Sequence, residues 1–325
     1  MAQVLISRAS RTFRVQCIGG AGRQTLAAGT GLRLLAVFRR SLYVQARSGG
    51  TICLGPPSLG PGPLNALVGL PAVLDWRALD LAPGAGVAWD GATLDLDGRF
   101  WFSLQGAEPW RPPAPPPAWS PATIAANLPQ LQEEIDRRHP TVGLAPLISA
   151  LLTGGPLCGS DGSPLHRRAA AGVSALRSWL ITAVCRGDTD PPRAPEIARL
   201  IGLGPGLTPS GDDLLGGALI TLHVLGCSHV AGHLAGRLLP VARQRTHALS
   251  LAHLLCAARG EGAAAVHETI GALCSPGSKD LAVTLDSLAE IGHSSGWDAL
   301  AGVSVVCRAV AGADPIPPRP STRPS

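Results

Sequence analysis

Two carboxylates stand at the first turn of an apolar segment in Ile201 to Gly217, IGLGPGLTPSGDDLLGG, directly after a concentration of glycine and proline. Glycines let a backbone approach a ligand closely, and the free N–H groups of a helix start, here at Gly211 to Asp213, carry partial positive charge. A phosphate or carboxylate suits such a start. Two aspartates repel an anion unless a cation bridges them, so a functional site here would draw Mg2+ or a similar hard cation to Asp212 or Asp213. Two better-known phosphate loops are excluded. A dinucleotide fingerprint needs a glycine where Leu207 stands and a strand before it. A P-loop needs lysine and a hydroxyl where Asp212 and Asp213 stand.

The pattern returns further on. Ser210-Gly211-Asp212-Asp213-Leu214-Leu215-Gly216-Gly217 aligns with Ser295-Gly296-Trp297-Asp298-Ala299-Leu300-Ala301-Gly302, both reading S-G-x-D-x-L-x-G, and the second is preceded by Gly292-His293-Ser294. A capping box, S-x-x-D, accounts for the serine and aspartate without any ligand. It leaves the glycine of each copy, the GLGPGLTP lead-in and the histidine unexplained. If both helix starts face one cavity they form a pseudo-symmetric cradle, with His293 as proton donor or oxyanion partner.

A helix expected over Ala242 to Arg259 places Arg243, Thr246, Ser250 and His253 on one face at spacings of three and four. That face is either a solvated surface or a wall of the site. His229 and His233 are one turn apart, but no acidic or cysteine partner has a metal-ligand spacing, so they read as surface or core histidines. No G-x-S-x-G elbow supports a serine hydrolase.

The scaffold that must hold these loops is bounded by composition. With 46% hydrophobic and 15% charged residues among 325, the chain can build packed cores, and its length suits two modest domains. The net charge of +5 comes from scattered arginines with Lys279 the only lysine, so no nucleic-acid footprint is expected. Eight cysteines lie far apart without a CxxC pair and read as buried thiols in a reducing compartment. The N-terminus, interrupted by Arg8 and Arg11, lacks a secretory segment, and the longest apolar stretch, Leu214 to Cys227, is too short to span a bilayer. A cytoplasmic protein without membrane partners is expected.

The fold class is α+β. Residues 1–110 alternate in short runs between turn signals and read as a mostly-β domain, most clearly in Val87 to Phe102, where Asp90-Gly91 and Asp97-Gly98 mark hairpins. A proline-rich linker over 111–121 follows, since proline removes donors and restricts its predecessor. Residues 122–312 carry helical periodicity and read as a mostly-α domain with both glycine loops. The tail over 313–325 has nothing to bury and reads as disordered.

GLGPGLTPSGDD (Gly202 to Asp213) and GHSSGWDALAG (Gly292 to Gly302) resemble the two signature segments of the AllH family, described as a subunit of oxamate carbamoyltransferase. Thr246, Ser250, Leu254-Leu255 and Ala258-Arg259-Gly260 resemble its Thr/Ser helix, although His247 stands where a second small hydroxyl residue is expected. Gly62-Pro63-Leu64-Asn65 and Ala107-Glu108-Pro109-Trp110 resemble further landmarks, so that the likeness extends over nearly the whole chain.

The resemblance implies a carbamoyltransferase subunit of purine and allantoin nitrogen catabolism, working with partner subunits to convert oxalurate and phosphate into oxamate and carbamoyl phosphate. All four are small anions. Gly204, Gly206, Thr208, Ser210 and Gly211 would then hold one anion, and Ser294, Ser295 and Gly296 another. Asp212, Asp213 and Asp298 would hold a cation or orient the loops, with Asp213, Asp298 and His293 at the chemistry. Thr246 and Ser250 would line the site, and Arg243 or Arg245 would supply positive charge. The alternative is a non-catalytic scaffold, or a sensor of small anions, in the same complex.

Overall fold

The structure, a computed structural model, describes residues 12–29, 31–70, 75–117, 119–157, 163–189, 194–277 and 280–312. The expectations for the N-terminal segment, Cys158 and the tail over 313–325 lie outside the described residues. The chain forms two compact units: Met1–Pro113 with Ala248–His267, and Ala114–His247 with Glu268–Ser325.

Among its described residues the first unit carries nine strands, in line with the mostly-β pattern expected there. They are β1 (Thr12–Gly19), β2 (Arg33–Val37), β3 (Leu42–Gln45), β4 (Thr51–Gly55), β5 (Asn65–Val68), β6 (Val87–Trp89), β7 (Thr93–Leu96), β8 (Phe100–Ser103) and β9 (Glu108–Trp110), with helix α1 (Gly20–Ala27) after β1. The sheet runs β2-β3-β4-β5-β1-β8-β7-β6, and β9 pairs with the end of β1 beyond β8. An Arg33–Gly86 bridge and the Leu34 N–H to Ala85 carbonyl bond of 3.2 Å join its two ends, closing it like a barrel. Closure satisfies edge groups that an open sheet leaves unpaired.

Inside lie Val15, Ile18, Leu34, Leu42, Ile52, Leu54, Leu94, Leu96 and Phe102, with Trp76 stacked on Phe102 at 6.1 Å. β4 is buried throughout because the core meets one face and α1 packs on it as well. The hairpins form where expected: Asp97 and Gly98 both take positive φ (59° and 62°), while Asp90 Oδ1 accepts from Ala92 and Thr93 N–H. Pro109 and Trp110 belong to β9. A three-residue strand paired along one side tolerates the missing N–H of Pro109.

The helices are α2 (Pro121–Arg138), α3 (Ile148–Thr153), α4 (Pro164–Arg186), α5 (Ala194–Ala198), α6 (Ser210–Val224), α7 (Ser228–Arg245), α8 (Ala248–Ala257), α9 (Ala264–Cys274), α10 (Leu281–Ala289) and α11 (Ser295–Ala311). Ser120 caps α2 through the Thr123 N–H, with Pro121 at its first position, where a proline costs no hydrogen bond. α11 is buried along almost its whole length and packs against α2, α3, α4 and above all α6. Of the cysteines described, Cys185 is exposed rather than buried, and Cys17 is half-buried. Among the described residues no helix is long and apolar enough to cross a membrane.

One expected element divides. Ala242 to Arg259 is not a single helix: Thr246 adopts an extended backbone (φ −113°, ψ 169°) that ends α7, and α8 begins two residues later in the other unit. Arg243 and Thr246 therefore do not share a helical face with Ser250 and His253. Burial pushes His253 down to about 4, which keeps its ring neutral.

Candidate functional site

The repeated S-G-x-D-x-L-x-G segments become the first turns of α6 and α11, in the second unit. Their small residues set how closely the two helices approach. A β-carbon on Gly217 would lie 2.1 Å from the Ala299 carbonyl oxygen, and one on Gly302 would lie 1.9 Å from that of Leu214. The contacts are reciprocal, since Gly217 and Gly302 are equivalent in the repeat, as are Leu214 and Ala299.

Neither repeated serine caps its own helix. α6 is preceded by Pro209 and α11 by Ser294, and neither position makes a side-chain cap bond. Ser210 and Ser295 face the other copy instead: Ser210 lies beside Asp298, and Ser295 beside Asp213. The Ser295 hydroxyl is also 3.1 Å from that of Thr208. The capping-box explanation therefore fails for both copies.

The N–H groups at Gly211 to Asp213, expected to be free, are engaged within the chain. Gly211 N–H bonds the Leu203 carbonyl at 2.9 Å, and Asp212 and Asp213 N–H both bond that of Pro209. In the second copy Gly296 N–H bonds Ile291 and Asp298 N–H bonds Ser294. These donors are spent inside the chain. Gly211 and Gly296 serve packing: β-carbons there would lie 2.0 and 1.9 Å from the carbonyl oxygens of Leu200 and Leu288. The repeat thus extends back to Leu200 and Leu203 in one copy and Leu288 and Ile291 in the other, and the first copy inserts three residues in between.

What converges is a pair of carboxylates, Asp298 fully buried and Asp213 half-buried with one buried oxygen. Asp298 is inaccessible to solvent; its Oδ1 accepts the Leu144 N–H at 2.5 Å, while its Oδ2 is buried without a hydrogen-bond partner. Asp213 Oδ2 is likewise buried and unpartnered. Burial pushes the Asp213 carboxyl well above its usual range; the charges of Asp298 and Asp212 raise it further, and the Ser295 and Thr208 hydroxyls oppose the shift. Burial likewise raises Asp298, against the Leu144 N–H, the Ser294 and Ser210 hydroxyls, and His166. Both carboxyls are therefore held above the ordinary aspartate range, and the charge of Asp298 is one of the causes at Asp213.

Asp212 has a different part. Its Oδ1 accepts the Gly202 N–H at 2.9 Å and its Oδ2 accepts the Thr246 hydroxyl, tying the loop before α6 to the end of α7. Among the described residues no group of three or more His, Cys, Asp or Glu side chains has the arrangement of a metal site.

Thr208, Ser210, Asp213, Ser294, Ser295 and Asp298 are thus brought together. His293, Gly206, Arg243 and Arg245 are exposed, and Ser250 lies in the first unit. Three participants went unnoticed in the sequence. Gly143, at φ +54°, lies so close to Asp298 that a β-carbon there would meet Oδ1 at 2.2 Å, and Leu144 supplies the N–H. His166 Nε2 holds the Gly143 carbonyl at 2.9 Å. Gly143 lies 155 positions before Asp298, and no spacing rule links them; a glycine shortly after a helix end was the one available signal.

Residues 200–307 match the family model of oxamate carbamoyltransferase subunit AllH. The match covers both repeats and roughly a third of the chain, while the landmarks at Gly62 to Asn65 and Ala107 to Trp110 lie outside it. No solved structure matches the chain.

Proposed function

We propose that this chain is a carbamoyltransferase subunit in which the Asp213–Asp298 pair handles protons at the carbamoyl group. The observation that carries this reading is the convergence of two carboxylates, each with one buried and unpartnered oxygen, at paired helix starts within the family-matched segment. The reaction is phosphorolysis of oxalurate to oxamate and carbamoyl phosphate, with partner subunits, in cytoplasmic breakdown of allantoin and related purine products.

The chemistry suits a proton-sharing pair. As an oxygen of hydrogenphosphate bonds to the ureido carbonyl carbon, its proton must leave. As the C–N bond to the oxamate nitrogen breaks, that nitrogen must gain a proton. A carboxylate takes up the first and a protonated carboxyl supplies the second, so the pair ends with the proton count it began with. The unpartnered oxygens also suit the N–H groups of an amide or ureide, which carboxylates accept strongly.

A second reading puts a hard cation such as Mg2+ on the same pair, supported by its all-oxygen surroundings of Ser210, Ser294, Ser295 and Thr208. The cation would replace the shared proton and neutralise the pair.

The test is carbamoyl phosphate formation from oxalurate and phosphate by the assembled complex. Asp213→Asn and Asp298→Asn should each lower turnover about 100-fold or more, with assembly intact. Wild-type turnover in both variants would reject the role and leave the chain a scaffold or an anion sensor. Activity that requires added Mg2+ would select the second reading.

A further inference from the structure

A cleft of about 260 Å3 lies between the first two turns of α4, at Leu165 and Arg168, and the loop Gly202 to Pro205. The volume suits a molecule of a few heavy atoms. Arg168 is the one charged side chain lining it; its guanidinium is exposed and, among the described residues, makes no ion pair or hydrogen bond. The other described lining residues are proline, leucine and glycine, so among the described residues the cleft offers an anion one guanidinium and a cation no carboxylate.

Its position is informative. Gly204, at φ +125°, is pressed against α6 so closely that a β-carbon would lie 2.7 Å from Ser210 N and 3.2 Å from its Oγ. Ser210 in turn lies beside Asp298. His166, next in sequence to the lining residue Leu165, holds Gly143 over Asp298. The loop that lines the cleft thus touches Ser210, and the helix that lines its other side carries the His166 that positions Gly143 on Asp298.

We propose that this cleft is an anion-binding site, with Arg168 as counter-ion for a carboxylate or phosphate group of a small molecule. A planar guanidinium matches both groups through two parallel N–H donors. Within the carbamoyltransferase reading, on which the choice of substrate rests, the cleft holds the charged end of the substrate, with Gly204 between it and the carboxylate pair. Positive charge is thereby assigned to Arg168 rather than to Arg243 or Arg245 at the exposed end of α7.

The test is calorimetric titration of the full chain with inorganic phosphate, oxamate and carbamoyl phosphate in separate arms. Saturable binding is expected, weakened about tenfold or more in Arg168→Gln and partly kept in Arg168→Lys, which retains charge but not the fork. The arm that binds tightest distinguishes a phosphate from a carboxylate ligand. In the unmodified protein, phosphate or oxamate should protect Arg168 from phenylglyoxal more than it protects the exposed Arg23. Absence of saturable binding, equal binding by Arg168→Gln, or loss of binding in Arg243→Gln alone would overturn the proposal. Any of these results together with inactive Asp213→Asn would reject the cleft while leaving the proton-transfer reading intact.

Discussion

Gly217 lies directly on the Ala299 carbonyl, with room for a hydrogen but not for a methyl group. Its repeat partner Gly302 lies in the same way on Leu214. Together they bring α6 and α11 close enough for each serine to reach the other copy's aspartate. Gly217→Ala or Gly302→Ala should cost about 2–3 kcal/mol despite the better helix propensity of alanine, because backbone atoms cannot step aside cheaply. Gly236→Ala in α7, where a β-carbon meets nothing within 4 Å, should instead stabilise by about 0.5–1 kcal/mol. Denaturant unfolding of the three variants measures both signs.

The Thr246 hydroxyl bonded to Asp212 should be separable from the chemistry. Thr246→Val withdraws a donor from a buried carboxylate and should cost about 1–3 kcal/mol, whereas Thr246→Ser should recover most of it. The denaturation midpoints of the two variants compare these costs. Equal destabilisation by both would mean that the threonine methyl, not the hydrogen bond, matters.

Asp213 carries a stability cost with a definite pH dependence. Its folded carboxyl is raised, so the native state holds a proton that the unfolded chain releases near pH 4. The wild type therefore loses stability as pH rises from there through the folded value. Asp213→Asn has no charge to bury and should melt higher than wild type at neutral pH, with the gap closing towards pH 3. A gap that widens in acid would reverse the sign and deny the raised value.

Much of the first unit is legible in the sequence, because Asp90-Gly91 and Asp97-Gly98 are local signals with local causes. The repeat is legible too, as a string. Its meaning is not: SGDD reads equally well as a cap, an anion cradle or a crossing point, and only the location of Leu200, Leu288, Leu214 and Ala299 decides. The break at Thr246 is hidden because Ala242 to Arg259 keeps helical periodicity across it. The turn over Asp298 is hidden because it depends on a glycine 155 residues away.

His166 is assigned as a positioning residue. It holds the Gly143 carbonyl and favours the charged form of Asp298. His166→Phe should lower turnover about tenfold and move the Asp298-dependent limb of the rate profile to higher pH, since the opposing influence is gone. His166→Gln, which keeps a donor for the Gly143 carbonyl, should recover most of the rate. A profile unchanged in both variants would limit His166 to packing.

The most direct measurement is infrared difference spectroscopy of the protonated-carboxyl stretch in the unliganded chain near neutral pH. The wild type should show a protonated-carboxyl band that shifts in Asp213→Asn and Asp298→Asn and disappears in the double variant. Fully ionised aspartates at Asp213 and Asp298 down to about pH 4 would contradict a proton held between them.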